Sequence, residues 1–139
     1  MQFEHVDTAR IARLWPVIAE ILAPAVRVHA GAKMQDVYDR LMSGHFHLLE
    51  CAGEEGQGLL VIHVFAEGDL TSCYASYIAG KAASPRKLIP AMRSIMTQFE
   101  THCRDAGVHQ IYIGGRDWRR VFPDFTPADD VPGRLRKVL

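Results

Sequence analysis

Several absences limit what this sequence can be. No apolar run approaches the roughly 18 residues that a membrane-spanning helix needs. The 16 Lys and Arg residues balance the 16 Asp and Glu residues, so no overall field attracts nucleic acid or an anionic membrane. The first residues mix acids, bases and a histidine, where a secretory signal would have an apolar core. We therefore predict an intracellular protein without a membrane or nucleic-acid partner.

Cysteine is scarce and shows no pairing pattern. The three cysteines are far apart, and no two of them form a C-x-x-C motif. An odd number of cysteines in apolar surroundings suits buried thiols in a reducing compartment. This predicts a cytoplasmic protein whose fold does not depend on disulfides.

The length of the chain, residues 1–139, suits a single domain. The pattern of its first 42 residues predicts two helices. Apolar side chains from Asp7 to Leu22 share one helical stripe. Because proline cannot donate a hydrogen bond inside a helix, we expect a break before Pro16. A loop from Ala23 to Ala32 and a short helix from Lys33 to Met42 follow. His29 in that loop could face a site, but an exposed loop residue is the simpler interpretation.

The middle of the chain predicts three antiparallel strands. They are expected at His45–Ala52, Gly58–Glu67 and Leu70–Ala79, joined by turns that contain glycine. The second strand, LLVIHVFA, is apolar on both faces. Such a strand is central, and something must cover each side of its sheet.

A strand, a helix and a strand then follow in the order of a right-handed βαβ unit. Leu70–Ala79 leads through a basic turn, Gly80 to Arg86, into an amphipathic helix. Val108–Gly114 is the expected parallel neighbour of the first strand. Arg116–Phe125 predicts a short helical turn, and the closing RLRKVL predicts an edge strand.

The histidines of the first two strands suggest a metal site as one alternative. His45 and His47 share a face, and a three-residue loop, Glu54–Gly56, would place His47 opposite His63. Cys73 could then complete a set of nitrogen and sulfur ligands for zinc. A register one residue different would send His63 to the other face. We favour polar groove residues over a metal site.

A basic cluster near the C-terminus suggests nucleic-acid binding as another alternative. Arg116, Arg119 and Arg120 surround Trp118 and could pair with phosphates while the ring stacks on a base. A basic turn with its Trp buried under the edge of the sheet explains the same residues. The neutral charge of the chain favours this second interpretation.

The order of these elements resembles the GNAT acyltransferase fold. Three stretches also resemble a narrower group, the small GNAT-like proteins of bacteriophages and prophages related to the acetyltransferase-like part of the podovirus internal virion protein A. They are Leu14–Pro16, Met42–Leu48 and Ile113–Pro123. The resemblance implies an α/β, GNAT-like (acyl-CoA N-acyltransferase) fold with a mixed central sheet and helices on both faces. It also implies a bacterial cytoplasm or a virion as the location.

The resemblance further implies acetyl-CoA or another acyl-CoA as cofactor and an amine as acceptor. In GNAT enzymes the pantetheine arm enters where the two parallel strands splay, and the turn before the crossover helix grips the pyrophosphate. The corresponding cofactor-binding positions are Tyr77, Ile78, Gly80, Lys81, Ala82, Ala83, Ser84 and Arg86.

The turn departs from the Q/R-x-x-G-x-G/A pattern of GNAT enzymes. Gly80 is its one glycine, and Pro85 and Pro90 each remove an N–H from the region that should donate to phosphate. Lys81 and Arg86 could supply positive charge instead. A merely capped, solvated helix start is the alternative to coenzyme binding.

No acid and base pair can be assigned from the sequence. GNAT enzymes commonly use a strand carboxylate as base and a tyrosine beyond the second parallel strand as acid. Here Glu67 lies at a hairpin, and the strand residues Tyr74, Tyr77 and Tyr112 suit packing better than catalysis. Two functions stay open: an N-acyltransferase, or a non-catalytic virion or accessory protein whose partners are virion proteins or further copies. The missing pair slightly favours the second.

Overall fold

The computed structural model describes residues 3–53, 56–82, 84–128 and 131–139. In this part of the chain seven strands form one sheet in the order β1-β2-β3-β4-β5-β7-β6. Only β4 and β5 are parallel neighbours within it. The elements are β1 Phe3–Val6, α1 Thr8–Arg27, α2 Met34–Met42, β2 His47–Gly53, β3 Gly56–Glu67, β4 Leu70–Ala82, α3 Pro85–Asp105, β5 Gln110–Ile113, β6 Thr126–Pro127 and β7 Leu135–Val138.

Helices cover both faces of the sheet, as the apolar sequence LLVIHVFA of β3 predicted. On one face α1 and α2 pack over a cluster that includes Leu22 and Val61. On the other face α3 packs over a cluster that includes Leu60 and Phe99. Leu60 and Val61 are neighbours on β3 and belong to opposite clusters, because successive side chains of a strand point to opposite faces. None of the described helices is both long and apolar enough to cross a membrane.

α1 runs unbroken through Pro16 and Pro24, so the predicted break at Pro16 and the predicted loop from Ala23 were wrong. Asp7 caps this helix, since its carboxylate accepts a hydrogen bond from the Arg10 N–H at 2.8 Å. Each proline removes one helical hydrogen bond. The buried stripe of α1 continues to Val26, and this apolar burial offsets the local cost.

Two short strands at the edges of the sheet were not predicted. β1 pairs with β2, with Val6 opposite Leu48. β6 pairs with β7, so β7 lies between β5 and β6 and is not the predicted edge strand. β1 has one buried residue and β6 has none. Neither therefore carries the apolar alternation by which a strand is recognised in a sequence.

The register of β2 and β3 contradicts the zinc hypothesis. His47 pairs with Ile62, so His47 and His63 point to opposite faces of the sheet. Gly53 pairs with Gly56, so the loop between the strands has two residues, one fewer than predicted. Both of these residues, which are glutamates, lie outside the described residues. A ring nitrogen of His47 lies 3.2 Å from one of His5 instead. No group of three or more candidate ligands that could hold a metal occurs among the described residues.

His47 should make the stability of the fold depend on pH. Burial first, and then the charges of His5 and His63, lower its pKa. A lowered pKa in the folded state means that protonation favours unfolding. This contribution to stability is therefore fully present above about pH 6.5 and is lost as the pH falls through the lowered folded pKa. We expect Tm, measured by circular dichroism, to fall less between pH 7 and pH 5 in His47→Gln than in the wild type. An equal fall in Tm in the two proteins would contradict the role of His47 in this pH dependence.

Candidate functional site

An opening forms where β4 and β5 separate. Among the described residues their parallel pairing ends at Ala75 and Ile113. β5 stops there, whereas β4 continues to Ala82. The edge of β4 beyond Ala75 therefore has no pairing with β5, and its backbone groups on that side face the opening.

A bulge in β4 lies directly after the last pair. The consecutive β3 residues Val61 and Ile62 pair with Tyr77 and Ala75, so Ser76 is an extra residue on β4. A bulge bends its strand and increases the local twist. The bend turns β4 away from β5 and explains why the opening begins at this level.

His29 enters this opening from the segment between α1 and α2. Its ring packs edge-on against Tyr77, with ring centroids 4.7 Å apart. It also lies directly on Gly115, where a Cβ atom would be 2.0 Å from the His29 Nε2. The φ of Gly115 is +89°, which independently favours glycine. The interpretation of His29 as an exposed loop residue was therefore wrong.

The surroundings of His29 keep its imidazole neutral. Burial first, and then the positive charge of Arg116, lower the pKa of His29. The Arg116 guanidinium donates a long hydrogen bond, 3.4 Å, to the Pro24 carbonyl and lies 5.2 Å from the centre of the Trp118 ring. A neutral imidazole has one nitrogen that can accept a proton.

Two cavities lie close to His29. The larger, of about 500 Å³, lies beyond the end of β5, and its walls include Tyr74, Gly114, Gly115, Arg116 and Arg134. The smaller, of about 260 Å³, lies beside α2, and its walls include His29, Lys33, Asp36, Arg40 and Tyr77. His29 lines the smaller cavity, and its ring rests on a wall of the larger one. It is therefore positioned between two spaces that could each hold part of a substrate.

Tyr74 lines the larger cavity, and Tyr112 is buried beside it. A Cβ atom at Gly114 would lie 2.6 Å from the hydroxyl oxygen of Tyr74, so this hydroxyl lies against the glycine. The rings of Tyr74 and Tyr112 are 6.3 Å apart, and Arg134 lies 4.0 Å from the centre of the Tyr112 ring. Burial raises the pKa of both tyrosines, so both hydroxyls are protonated and can donate. The predicted packing role suits Tyr112, whereas Tyr74 also faces the cavity.

Glu67 is held near the start of β4 and β5, away from the larger cavity. Its carboxylate accepts hydrogen bonds from Ser72 at 2.8 Å and Gln110 at 3.0 Å. A bond from the Tyr112 hydroxyl is the first cause that lowers its pKa, so the carboxylate is ionised. Ser72 precedes Ala75 by three residues, about 10 Å along a strand. Glu67 is therefore fixed at the hairpin, as predicted, and does not reach the opening.

The cofactor-binding positions predicted from the resemblance lie along β4 and the start of α3. Tyr77 packs with the α1 cluster, and Ile78 is buried in the α3 cluster. Three further positions extend β4 and pair with β3: Gly80, Lys81 and Ala82. The predicted turn therefore begins later than Gly80, because β3 already starts at Gly56 and provides partners.

The start of α3 has positive charge but few free donors. Ala83 lies outside the described residues, and Ser84 is the N-cap without a capping bond from its side chain. Pro85 has no N–H, and the N–H of Lys87 donates to the Ser84 carbonyl at 3.0 Å. The exposed basic side chains around this end are Lys81, Arg86 and Lys87. Recognition of phosphate here would depend on these side chains more than on backbone donors.

The segment after β5 is organised by Trp118. This residue is 4% exposed, and its indole N–H donates to the Gly114 carbonyl at 3.0 Å. The Phe122 N–H donates to the Trp118 carbonyl, which closes the predicted turn. Arg119 forms an ion pair with Asp117 at 2.9 Å. Because the Trp118 ring is buried, as predicted, it is not available to stack on nucleic acid.

The comparisons with known proteins concern the fold. No protein-family model matches the chain, and no curated protein matches it. Among solved structures, a GNAT family acetyltransferase from Listeria monocytogenes matches 99% of this chain and 94% of its own, with a TM-score of 0.60 and 11% identity. The ribosomal-protein-alanine N-acetyltransferase from Brucella melitensis matches over 100% of both chains, with a TM-score of 0.54 and 14% identity.

A third similar structure contains a coenzyme. The N-acetylglutamate synthase from Neisseria gonorrhoeae, complexed with coenzyme A and L-arginine, matches 99% of this chain and 33% of its own, with a TM-score of 0.54 and 18% identity. Such identities show a common fold and leave activity to be argued from the site. The chain has the GNAT fold that the resemblance implied.

Proposed function

We propose that the protein is an acyl-CoA-dependent N-acyltransferase that acts on an amine in a bacterial cytoplasm. The observation that carries this proposal is the opening between β4 and β5 at the Ser76 bulge, with His29 in its wall. The two cavities near His29 provide space for an acyl group and an acceptor. The GNAT fold supports the proposal, and one neighbour of this fold is complexed with coenzyme A.

The described residues fit acyl-CoA at two places. The backbone of β4 beyond Ala75 can pair with the amides of an extended pantetheine arm, because β5 does not pair with it there. The dipole of α3 and the exposed side chains of Lys81 and Arg86 would attract the pyrophosphate. When bound, acyl-CoA supplies a thioester carbonyl that an amine can attack.

Isothermal titration with acetyl-CoA tests this binding site. We expect saturable heat, and we expect the double variant Lys81→Ala/Arg86→Ala to bind about tenfold more weakly, since two exposed charge contacts together contribute about 1.4 kcal/mol. Arg104→Ala removes an exposed base from the other end of α3 and should bind like the wild type. No heat from a protein with intact circular dichroism would contradict the proposal.

A non-catalytic accessory role is the second candidate. The scarcity of backbone donors around Pro85 favours it, because a working pyrophosphate site normally uses them. The resemblance of Ile113–Pro123 to phage and prophage GNAT-like proteins would place such a protein in a virion, with virion proteins as partners. This role predicts a folded protein without affinity for acetyl-CoA, so the same titration separates the two candidates.

A further inference from the structure

We infer that His29 is the general base of this protein and takes a proton from the attacking amine. The inference rests on the proposed function and adds the catalytic residue that the sequence did not reveal.

The position of the ring is fixed by two contacts and by the backbone turn that carries the residue. Tyr77 of β4 contacts one edge, and Gly115 beyond β5 supports another. The backbone holds the residue in a tight turn after α1, since the His29 N–H donates to the Val26 carbonyl at 3.1 Å and the Ala32 N–H donates to the His29 carbonyl at 3.2 Å. A base must be held near the reacting nitrogen, and these contacts hold the imidazole where β4 and β5 separate.

The charged groups around His29 leave it able to accept a proton. Arg116 faces it from the segment after β5, and this charge together with burial lowers its pKa. From β4 it meets Tyr77, whose pKa is raised, chiefly by burial. From α2 and the residue before it, the groups on the same cavity wall are Lys33, Asp36 and Arg40. The imidazole is therefore neutral at pH 7, and one of its nitrogens can accept a proton.

Other candidate bases are less suitable. Glu67 is fixed at the hairpin by Ser72 and Gln110 and lies away from the opening. Asp36 has an exposed side chain on α2 and lines the smaller cavity but not the larger one, where β4 and β5 separate. His29 combines a position at the opening with a neutral imidazole.

The proton transfer to His29 precedes formation of the amide. An acceptor ammonium gives one proton to the free nitrogen of His29 and becomes a neutral amine. The amine nitrogen attacks the thioester carbonyl carbon, so the C–N bond forms and the C–S bond breaks. The nitrogen loses a second proton as the amide forms, and the departing thiolate takes up one proton to give the free thiol. The proton on His29 is released to solvent.

The test compares His29→Gln with the wild type in three measurements. Acetyl-CoA affinity is measured by titration calorimetry. Release of the coenzyme thiol is followed with water, glycinamide, benzylamine, ethylenediamine and Nα-acetyl-lysine amide as acceptors, from pH 5.5 to pH 9. We expect His29→Gln to bind acetyl-CoA within about twofold of the wild type, to release thiol at least about 100-fold more slowly, and to lose the rise in rate through the pKa of His29. His102→Gln, on the exposed face of α3, is the matched control and should behave as wild type.

Gly115→Ala provides a second variant and a measurement that needs no activity. Its Cβ would lie 2.0 Å from Nε2, so the His29 ring must leave its place. We expect the His29 pKa, followed by NMR of the ring nitrogens, to rise toward 6.5 in this variant. We also expect thiol release to be slower than in the wild type, as in His29→Gln. An unchanged pKa would contradict the position assigned to the ring.

The outcomes separate the inference from the proposed function. Normal thiol release and an unchanged pH profile in His29→Gln would overturn the role of His29 and leave the transferase proposal standing. Faster release with tighter acetyl-CoA binding in this variant would show that His29 blocks the opening, and would also overturn its role as base. A wild type that binds no acetyl-CoA, or binds it without releasing thiol to any acceptor, would overturn the inference and the transferase activity together.

Discussion

Phe99→Ala is expected to lower the free energy of unfolding by about 3–5 kcal/mol. Phe99 is 0% exposed and lies at the centre of the cluster between α3 and the sheet. Its ring also meets Phe3 of β1 edge-on, with centroids 5.7 Å apart. Truncation removes apolar surface from the core and leaves a cavity, and the surrounding strands can close it only in part.

Urea denaturation followed by circular dichroism measures this loss. Leu88→Ala is the matched control, because Leu88 lies on the same helix and is 36% exposed. We expect the control to cost about 1 kcal/mol or less, since the side chain is already partly solvated. Equal losses in the two variants would mean that α3 is not anchored to the sheet through Phe99.

Lys137→Met is expected to lower the free energy of unfolding by about 3 kcal/mol. Lys137 of β7 forms an ion pair with Glu100 of α3, whose side chain is 8% exposed, and its ammonium lies 3.7 Å from Asp124. The variant leaves the Glu100 carboxylate buried without its cation, and that is the costly part. The lysine side chain is itself 23% exposed, so the lower end of the usual range applies.

A double-mutant cycle by urea denaturation at pH 7 tests this explanation. Glu100→Leu/Lys137→Met removes both charges and should regain most of the lost stability, because no buried carboxylate is left unpaired. Lys87→Met, at an exposed position of α3, is the control and should change stability by less than about 0.5 kcal/mol. A double variant as unstable as Lys137→Met would show that methionine fits poorly at this position and that the ion pair is not the cause.

The order of the elements could be predicted because it depends on long, regular patterns. The apolar β3 predicted helices on both faces, and the parallel pairing of β4 with β5 followed from the helix between them. The failures concern local signals that tertiary contacts override. Pro16 marks a break in isolation, but α1 buries side chains on both sides of it and continues.

The candidate site could not be predicted, because it is assembled from distant residues without a shared motif. His29 becomes important only because Gly115 leaves space for its ring. The opening depends on a bulge at Ser76, which the sequence does not mark with a glycine or proline. The metal hypothesis failed because one residue in the length of a hairpin decides which face His63 occupies.

The two-residue strand β6 also determines how this sheet ends. Thr126 and Pro127 form the edge of the sheet next to β7. Proline has no N–H to offer to a further strand. Unpaired strand edges are templates on which other chains can add and aggregate. A short edge that ends in proline is a poor template, so this side of the protein should resist edge-to-edge aggregation at high concentration.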